Sequence, residues 1–181
     1  MNSGKSALLL MKAHQFEERK IPFLILKSAI DTRNDGVIHS RPLGDKPCVI
    51  VKPEDNLYQV VIENKINAEW VLVDEAQFLT AGQVDELSDL VDYMKMNVIC
   101  YGLRTDFQTH LFEGSKRLFE VADVITGIES ECDCSKRNIF NARFDKSGKI
   151  VTEGEQIEVG AEDKYKSMCR KCYKEELAKI K

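Results

Sequence analysis

The sequence predicts an α/β protein: a parallel sheet with helices on both faces, followed by a small cysteine-tied module. Three observations carry this. Short, continuous apolar runs alternate with helix-forming stretches up to about Ile128. Such runs suit strands buried on both faces, and their alternation with helices implies parallel order. Beyond Ile128 the long apolar runs stop, and glycine, charge and cysteine take over. The 181 residues are 43% hydrophobic and 31% charged, a balance that suits neither a disordered chain nor a membrane protein.

The elements follow in order. Ser6 to Arg19 are good helix formers without Gly or Pro. Phe23-Leu24-Ile25-Leu26 reads as a buried strand and Cys48-Val49-Ile50-Val51 as another. Asp55 to Asn64 suits a helix. Trp70-Val71-Leu72-Val73 is a strand covered on both faces, and Val84, Leu87, Leu90, Val91 and Met94 recur at helical spacing. Val98 to Tyr101 is a strand, Gly114 to Ala122 a helix, and Val124-Ile125-Thr126-Gly127-Ile128 a further strand. The predicted division is therefore an α/β domain over 1–128, a small module over 129–173 and a helical tail over 174–181. Within the module, Ile139 to Phe144 and Lys149 to Val151 read as a hairpin turning at Ser147-Gly148.

Lys and Arg number 26 against 30 Asp and Glu, a net charge of -4. That balance argues against broad, non-specific nucleic-acid binding. No apolar run reaches the roughly 20 residues that span a bilayer, so no membrane partner is expected. No secretory pattern opens the chain, and the default expectation is a cytoplasmic protein with reduced thiols.

Met1-Asn2-Ser3-Gly4-Lys5-Ser6 ends like the phosphate-binding loop G-x-x-x-x-G-K-[ST]. Glycine lets the backbone wrap phosphate, lysine reaches the terminal phosphates, the serine hydroxyl can hold Mg²⁺, and the following helix adds its dipole. The first glycine of the pattern, and the strand that launches such loops, would lie before Met1. Val71-Leu72-Val73-Asp74 supplies the matching strand that ends in Asp, a second Mg²⁺ ligand at the carboxyl edge of the sheet. Glu75 adds a carboxylate suited to accepting a proton. Asp31-Thr32-Arg33 follows the second strand, where Arg33 can neutralise charge on a transferred phosphoryl group. Asp74-Glu75-Ala76-Gln77 also matches a helicase box, but such motors need two nucleotide-binding lobes and this chain holds at most one.

Of six cysteines, Cys48 and Cys100 sit in strand-like runs and read as core residues. Cys132-Asp133-Cys134 and Cys169-Arg170-Lys171-Cys172 offer four thiolates in two turns, a set suited to structural, tetrahedral Zn²⁺. The C-x-C half is one residue tighter than the usual knuckle. Lys136, Arg137, Arg170 and Lys171 nearby would also suit a nucleic-acid-binding zinc ribbon, a reading the acidic balance opposes.

Taken together, the ordered motifs resemble the zinc-containing, type II thymidine kinase family of P-loop deoxynucleoside kinases. The markers are residues 1–6, Ile-Asp-Thr-Arg at 30–33, Leu-Val-Asp-Glu-Ala-Gln-Phe-Leu at 72–79, Tyr-Gly-Leu-Arg-Thr-Asp-Phe at 101–107, Leu-Phe-Glu-Gly-Ser at 111–115 and Lys-Tyr-Lys-Ser-Met-Cys-Arg-Lys-Cys-Tyr at 164–173. The resemblance implies a RecA-like P-loop NTPase sheet and a zinc-ribbon-like domain carrying a lasso loop. It implies transfer of the γ-phosphate of ATP to the 5′-hydroxyl of thymidine, with Glu75 as general base. ATP and Mg²⁺ would be held by Met1, Asn2, Ser3, Gly4, Lys5, Ser6, Asp31, Arg33, Asp74 and Gln77. Thymidine would meet Met1, Leu103, Phe107, Gln156, Ile157, Glu158, Val159, Gly160 and Tyr165, with Phe107 offering an aromatic face to the base. Zn²⁺ would sit on Cys132, Cys134, Cys169 and Cys172. A homotetramer and feedback binding of thymidine triphosphate are family expectations. Read as lacking the first strand and first loop glycine, the chain has one alternative: a catalytically impaired nucleoside- or nucleotide-binding relative.

Overall fold

The computed structural model describes residues 4–31, 36–40, 43–157 and 164–180. The chain forms two compact units. The larger comprises Gly4–Leu103 and Phe112–Ile125, the smaller Arg104–Leu111 and Thr126–Lys181. The segment Arg104–Leu111 thus groups with the cysteine-bearing module rather than with the flanking sheet residues.

The larger unit is built on a four-stranded sheet. Its strands are β1 (Phe23–Ser28), β4 (Val49–Val51), β5 (Trp70–Asp74) and β6 (Asn97–Cys100), in the order β4-β1-β5-β6. All pairings are parallel, with Leu26 facing Val49 and Val73, and Val73 facing Cys100. Alternate side chains feed two cores, as the pleat requires. Ile25 and Leu72 pack with Leu9, Leu10, Ala13 and Phe16 of α1 (Lys5–Glu18). Leu26, Val71 and Val73 pack with Leu57 and Val61 of α2 (Leu57–Lys65) and Val84, Leu87 and Leu90 of α3 (Ala81–Met94). Continuous apolar strands and helices on both faces are the expected α/β arrangement.

Caps set the helix starts. The Asn56 side chain accepts from the Gln59 N–H, and Thr80 and Gln83 form a reciprocal capping box. Helix α4 (Glu113–Val121) begins against the turn after β5, where Gly114 allows close approach. A Cβ there would lie 2.6 Å from the carbonyl oxygens of Ala76 and Leu79.

Three expectations are corrected. No strand forms over 124–128: Val124 and Ile125 are exposed, and among the described residues no strand lies alongside to pair their backbone. Lys149–Val151 contributes only the bridge Phe144–Ile150, because β7 (Phe140–Arg143) pairs instead with β8 (Tyr165–Met168). The last helix, α5 (Arg170–Ala178), starts inside the cysteine motif rather than after it, since the Cys169 sulfur accepts from the Cys172 N–H and caps it. The apolar pattern does not mark the antiparallel pair β2 (Val37–Ser40) and β3 (Gly44–Pro47).

Candidate active site and metal centre

In the larger unit the phosphate-loop residues and the strand-end acids come together. Gly4 caps α1 with φ 77, a left-handed conformation natural to glycine, and its carbonyl accepts the Leu8 N–H at 2.9 Å. Lys5 is buried, and the Ser6 hydroxyl donates to Asp74 Oδ2 at 3.1 Å. A P-loop hydroxyl beside a strand-end Asp is the pair that holds Mg²⁺ in P-loop enzymes. Met1, Asn2, Ser3 and Arg33 lie outside the described residues.

Asp74 ends β5 and is buried, and its Oδ1 accepts the Glu75 N–H at 3.0 Å. Burial, then the neighbouring Glu75 charge, raises its pKa from 3.8 to about 6, against the lowering pull of Ser6 and Lys5. The folded pKa exceeds the unfolded one, so ionisation costs the fold stability, a loss that develops between about pH 4 and 6. The cost at neutral pH is on the order of 3 kcal/mol. Asp74→Asn is therefore expected to raise the melting temperature at pH 7.5, without added magnesium or nucleotide, while weakening phosphoryl transfer. The gain should vanish near pH 4. Melts of both proteins across that range check it.

Glu75 is buried and held at φ 51, ψ 40, a left-handed conformation that costs a non-glycine residue about 1–3 kcal/mol. That turn sets the carboxylate at the carboxyl edge of the sheet. Its neighbour Gln77 donates from Nε2 to Glu75 Oε2 at 2.6 Å and accepts the Leu103 N–H on Oε1 at 2.9 Å. One buried amide thus ties the candidate base to the segment after β6. The Leu103 carbonyl in turn accepts the Ser115 hydroxyl at 2.6 Å. Asp31 is buried against Lys27, 3.4 Å away. Lys27 stands opposite Asp74 in the sheet register and was not singled out from sequence. A lysine closing the run Phe-Leu-Ile-Leu-Lys-Ser was the available signal.

In the smaller unit the four cysteine sulfurs lie within 4.8 Å of one another, and all are reduced. A tetrahedral zinc with bonds of about 2.3 Å needs sulfurs about 3.8 Å apart, and the pairs Cys134–Cys169 at 3.6 Å and Cys134–Cys172 at 3.5 Å meet that spacing. Cys132 and Cys134 sit on a tight turn closed by Ser135 at φ 60 and by the Cys132 N–H bonded to the Lys136 carbonyl. Cys169 caps α5. Backbone N–H groups of Cys134 and Cys169 hold the Cys132 thiol down to about 7, and the Cys172 N–H lowers Cys169. Crowding by the other sulfurs pushes Cys172 up to about 12. Four thiols this close cannot all ionise without a cation, and the donor set suits zinc. Cys48 and Cys100 stand apart from this chemistry, with burial raising their thiols to about 11 and 12.

The candidate nucleoside residues are placed as follows. Leu103 is half-buried in the larger unit. In the smaller unit Phe107 is buried and one ring face is covered by Arg143, whose guanidinium carbon lies 3.7 Å from the ring centroid. Tyr165 is half-buried on β8, and Gln156 and Ile157 are exposed. Gln156 donates to Asp106 Oδ2 at 2.8 Å. Glu158, Val159 and Gly160 lie outside the described residues. No helix of the described residues is long and apolar enough to cross a membrane.

A parallel α/β sheet with a Gly-Lys-Ser turn bonded to a strand-end Asp defines a P-loop nucleotide-binding protein, here joined to a four-thiol module. Comparison with known proteins narrows the class. A family model described as thymidine kinase matches residues 1–173. The thymidine kinase of Haemophilus influenzae (strain Rd) is 42% identical over 183 residues, covering 99% of this chain and 95% of its own length. Those of Rhodopirellula baltica and Vibrio vulnificus are 42% and 40% identical, covering 97% and 99% of this chain and 84% and 95% of their own. The chain belongs to the thymidine kinase family.

Proposed function

We propose that this chain transfers the γ-phosphoryl group of ATP to the 5′-hydroxyl of thymidine, giving thymidine monophosphate and ADP. The observation that carries it is the Ser6–Asp74 bond with Glu75 next in chain, in a member of the thymidine kinase family. Lys5 supplies positive charge to the phosphates, and Ser6 and Asp74 are the residues that would hold Mg²⁺. Bound there, the ion would neutralise charge on the transferred group. Glu75 accepts the proton of the 5′-hydroxyl as its oxygen attacks the γ-phosphorus and the bond to the ADP oxygen breaks. Gln77 orients that carboxylate by donating from its Nε2 to Glu75 Oε2. Gly4 and Asp31, with Met1, Asn2, Ser3 and Arg33, complete the proposed nucleotide set. Leu103, Phe107, Gln156, Ile157 and Tyr165, with Met1, Glu158, Val159 and Gly160, form the proposed thymidine set.

Zinc on Cys132, Cys134, Cys169 and Cys172 would be structural, since four thiolates leave no open position. A homotetramer, feedback binding of thymidine triphosphate and a cytoplasmic location, where ATP and nucleosides are at hand, complete the proposal. No finding favours the impaired alternative. The test is phosphate transfer from Mg·ATP to thymidine, beside deoxycytidine and deoxyadenosine. Transfer to thymidine alone is expected. A folded, zinc-loaded chain that neither binds nor phosphorylates thymidine overturns the reading.

A further inference from the structure

We propose that Arg143 is a positioning residue for thymidine recognition, a role that rests on the thymidine reading above. Arg143 ends β7 with only 5% of its surface exposed. Within the smaller unit it meets Phe107 of the proposed nucleoside set, bonds the chain just before Gln156, and stands opposite Tyr165 in the strand register. Its guanidinium carbon lies 3.7 Å from the Phe107 ring centroid, within reach of a cation–π contact. Its two terminal nitrogens donate to the Glu155 and Glu153 carbonyls at 3.2 and 3.3 Å, fixing the stretch that leads into Gln156. Its cross-strand partner is Tyr165.

The surrounding bonds serve the same stretch. Gln108 donates to the Thr152 carbonyl at 2.9 Å, and Gln156 to Asp106 Oδ2 at 2.8 Å. Tyr173, one residue past Cys172 on α5, donates its hydroxyl to the Phe107 carbonyl at 2.8 Å. Arg143 thus connects the Phe107 ring and the approach to Gln156 from a position paired with Tyr165. Gly154 marks how tightly it fits: φ is 132, and a Cβ there would lie 2.5 Å from the Arg143 Nη2. A fork that covers a ring and donates to two carbonyls at once is a role lysine cannot fill.

The test is Arg143→Lys in the full, zinc-loaded chain. The lost fork should raise the dissociation constant and KM for thymidine roughly tenfold or more. The KM for ATP, kcat and zinc content should stay close to those of the unchanged chain, a split that a general loss of structure would not produce. Gly154→Ala, which leaves Arg143 present but takes its room, should raise the thymidine constants in the same direction, and the two effects should fall short of additive when combined. Should Arg143→Lys fail to fold, Gly154→Ala alone decides. Thymidine affinity unchanged within about twofold in a folded variant overturns the inference. Loss of thymidine binding by the unchanged chain is a different result, and counts against the functional reading instead.

Discussion

Glu75→Gln is expected to leave folding, zinc content and thymidine binding intact and to lower kcat by about 10²–10⁴-fold, the usual worth of a positioned proton acceptor. The substitution is nearly isosteric. An amide oxygen at this position can still accept from Gln77 Nε2, which now meets Glu75 Oε2 at 2.6 Å, so the turn and its tie to Leu103 persist. What the substitution removes is the carboxylate to which the proposed mechanism assigns the 5′-hydroxyl proton. Thymidine affinity and kcat measured together separate this from collapse of the site. Turnover equal to that of the unchanged chain would remove Glu75 from the role of base. The strained backbone at φ 51 sharpens the comparison. Glu75→Gly should relieve the turn and stabilise the fold, yet lose at least as much rate.

The features legible in the sequence were those whose chemistry lies in consecutive residues. Gly4-Lys5-Ser6 announces a phosphate loop and Val73-Asp74-Glu75 a strand-end acid pair. Each buried strand of the sheet shows as an apolar run. The structure adds partnerships, which single segments do not encode. Val124 to Ile128 has strand composition but no neighbour among the described residues to complete its hydrogen bonds. Lys149 to Val151 has turn chemistry on its N-terminal side, yet the longer ladder of β7 goes to β8, about twenty residues further on. Cys169 is read as a ligand, and its second role as a helix cap emerges only when the Cys172 N–H is seen to meet its sulfur.

Isolated charges were the least legible. Lys27 and Arg143 each sit singly in strands, where a charged residue ordinarily reads as a solvent-facing position. Both are buried, Lys27 against Asp31 and Arg143 against Phe107 and two carbonyls. Burying a cation is costly unless partners meet it, so these positions carry more constraint than composition suggests. Phe107 shows the same limit from the other side. The residue type suggests an aromatic face for a base, but that one ring face is occupied by Arg143, 36 positions away, is not visible in the sequence.

Removing zinc is expected to abolish thymidine transfer while sparing the larger unit. The apolar core of the smaller unit is small: Cys132, Ala142, Ile150, Met168, Cys169 and Tyr173, with Phe140, Phe144, Cys172 and Leu177 partly buried against it. A core of that size cannot order its loops alone, whereas a structural zinc contributes on the order of 10–16 kcal/mol in small metal-folded peptides. Without the ion, α5 loses its anchored start, and with it the Tyr173 hydroxyl that holds the Phe107 carbonyl. Chelation, or Cys169→Ser, should therefore eliminate stoichiometric zinc and thymidine binding, while the helices packed on the parallel sheet keep their circular dichroism. Cys48→Ser should retain both zinc and activity, since that cysteine lies outside the cluster. The sign with pH follows from the ligands. Thiolates must be deprotonated to bind, so affinity falls as pH falls, and activity lost on mild acidification should track zinc release and return when zinc is restored at neutral pH. Full thymidine transfer by a chain shown by elemental analysis to hold no zinc would refute the structural role assigned to the four cysteines.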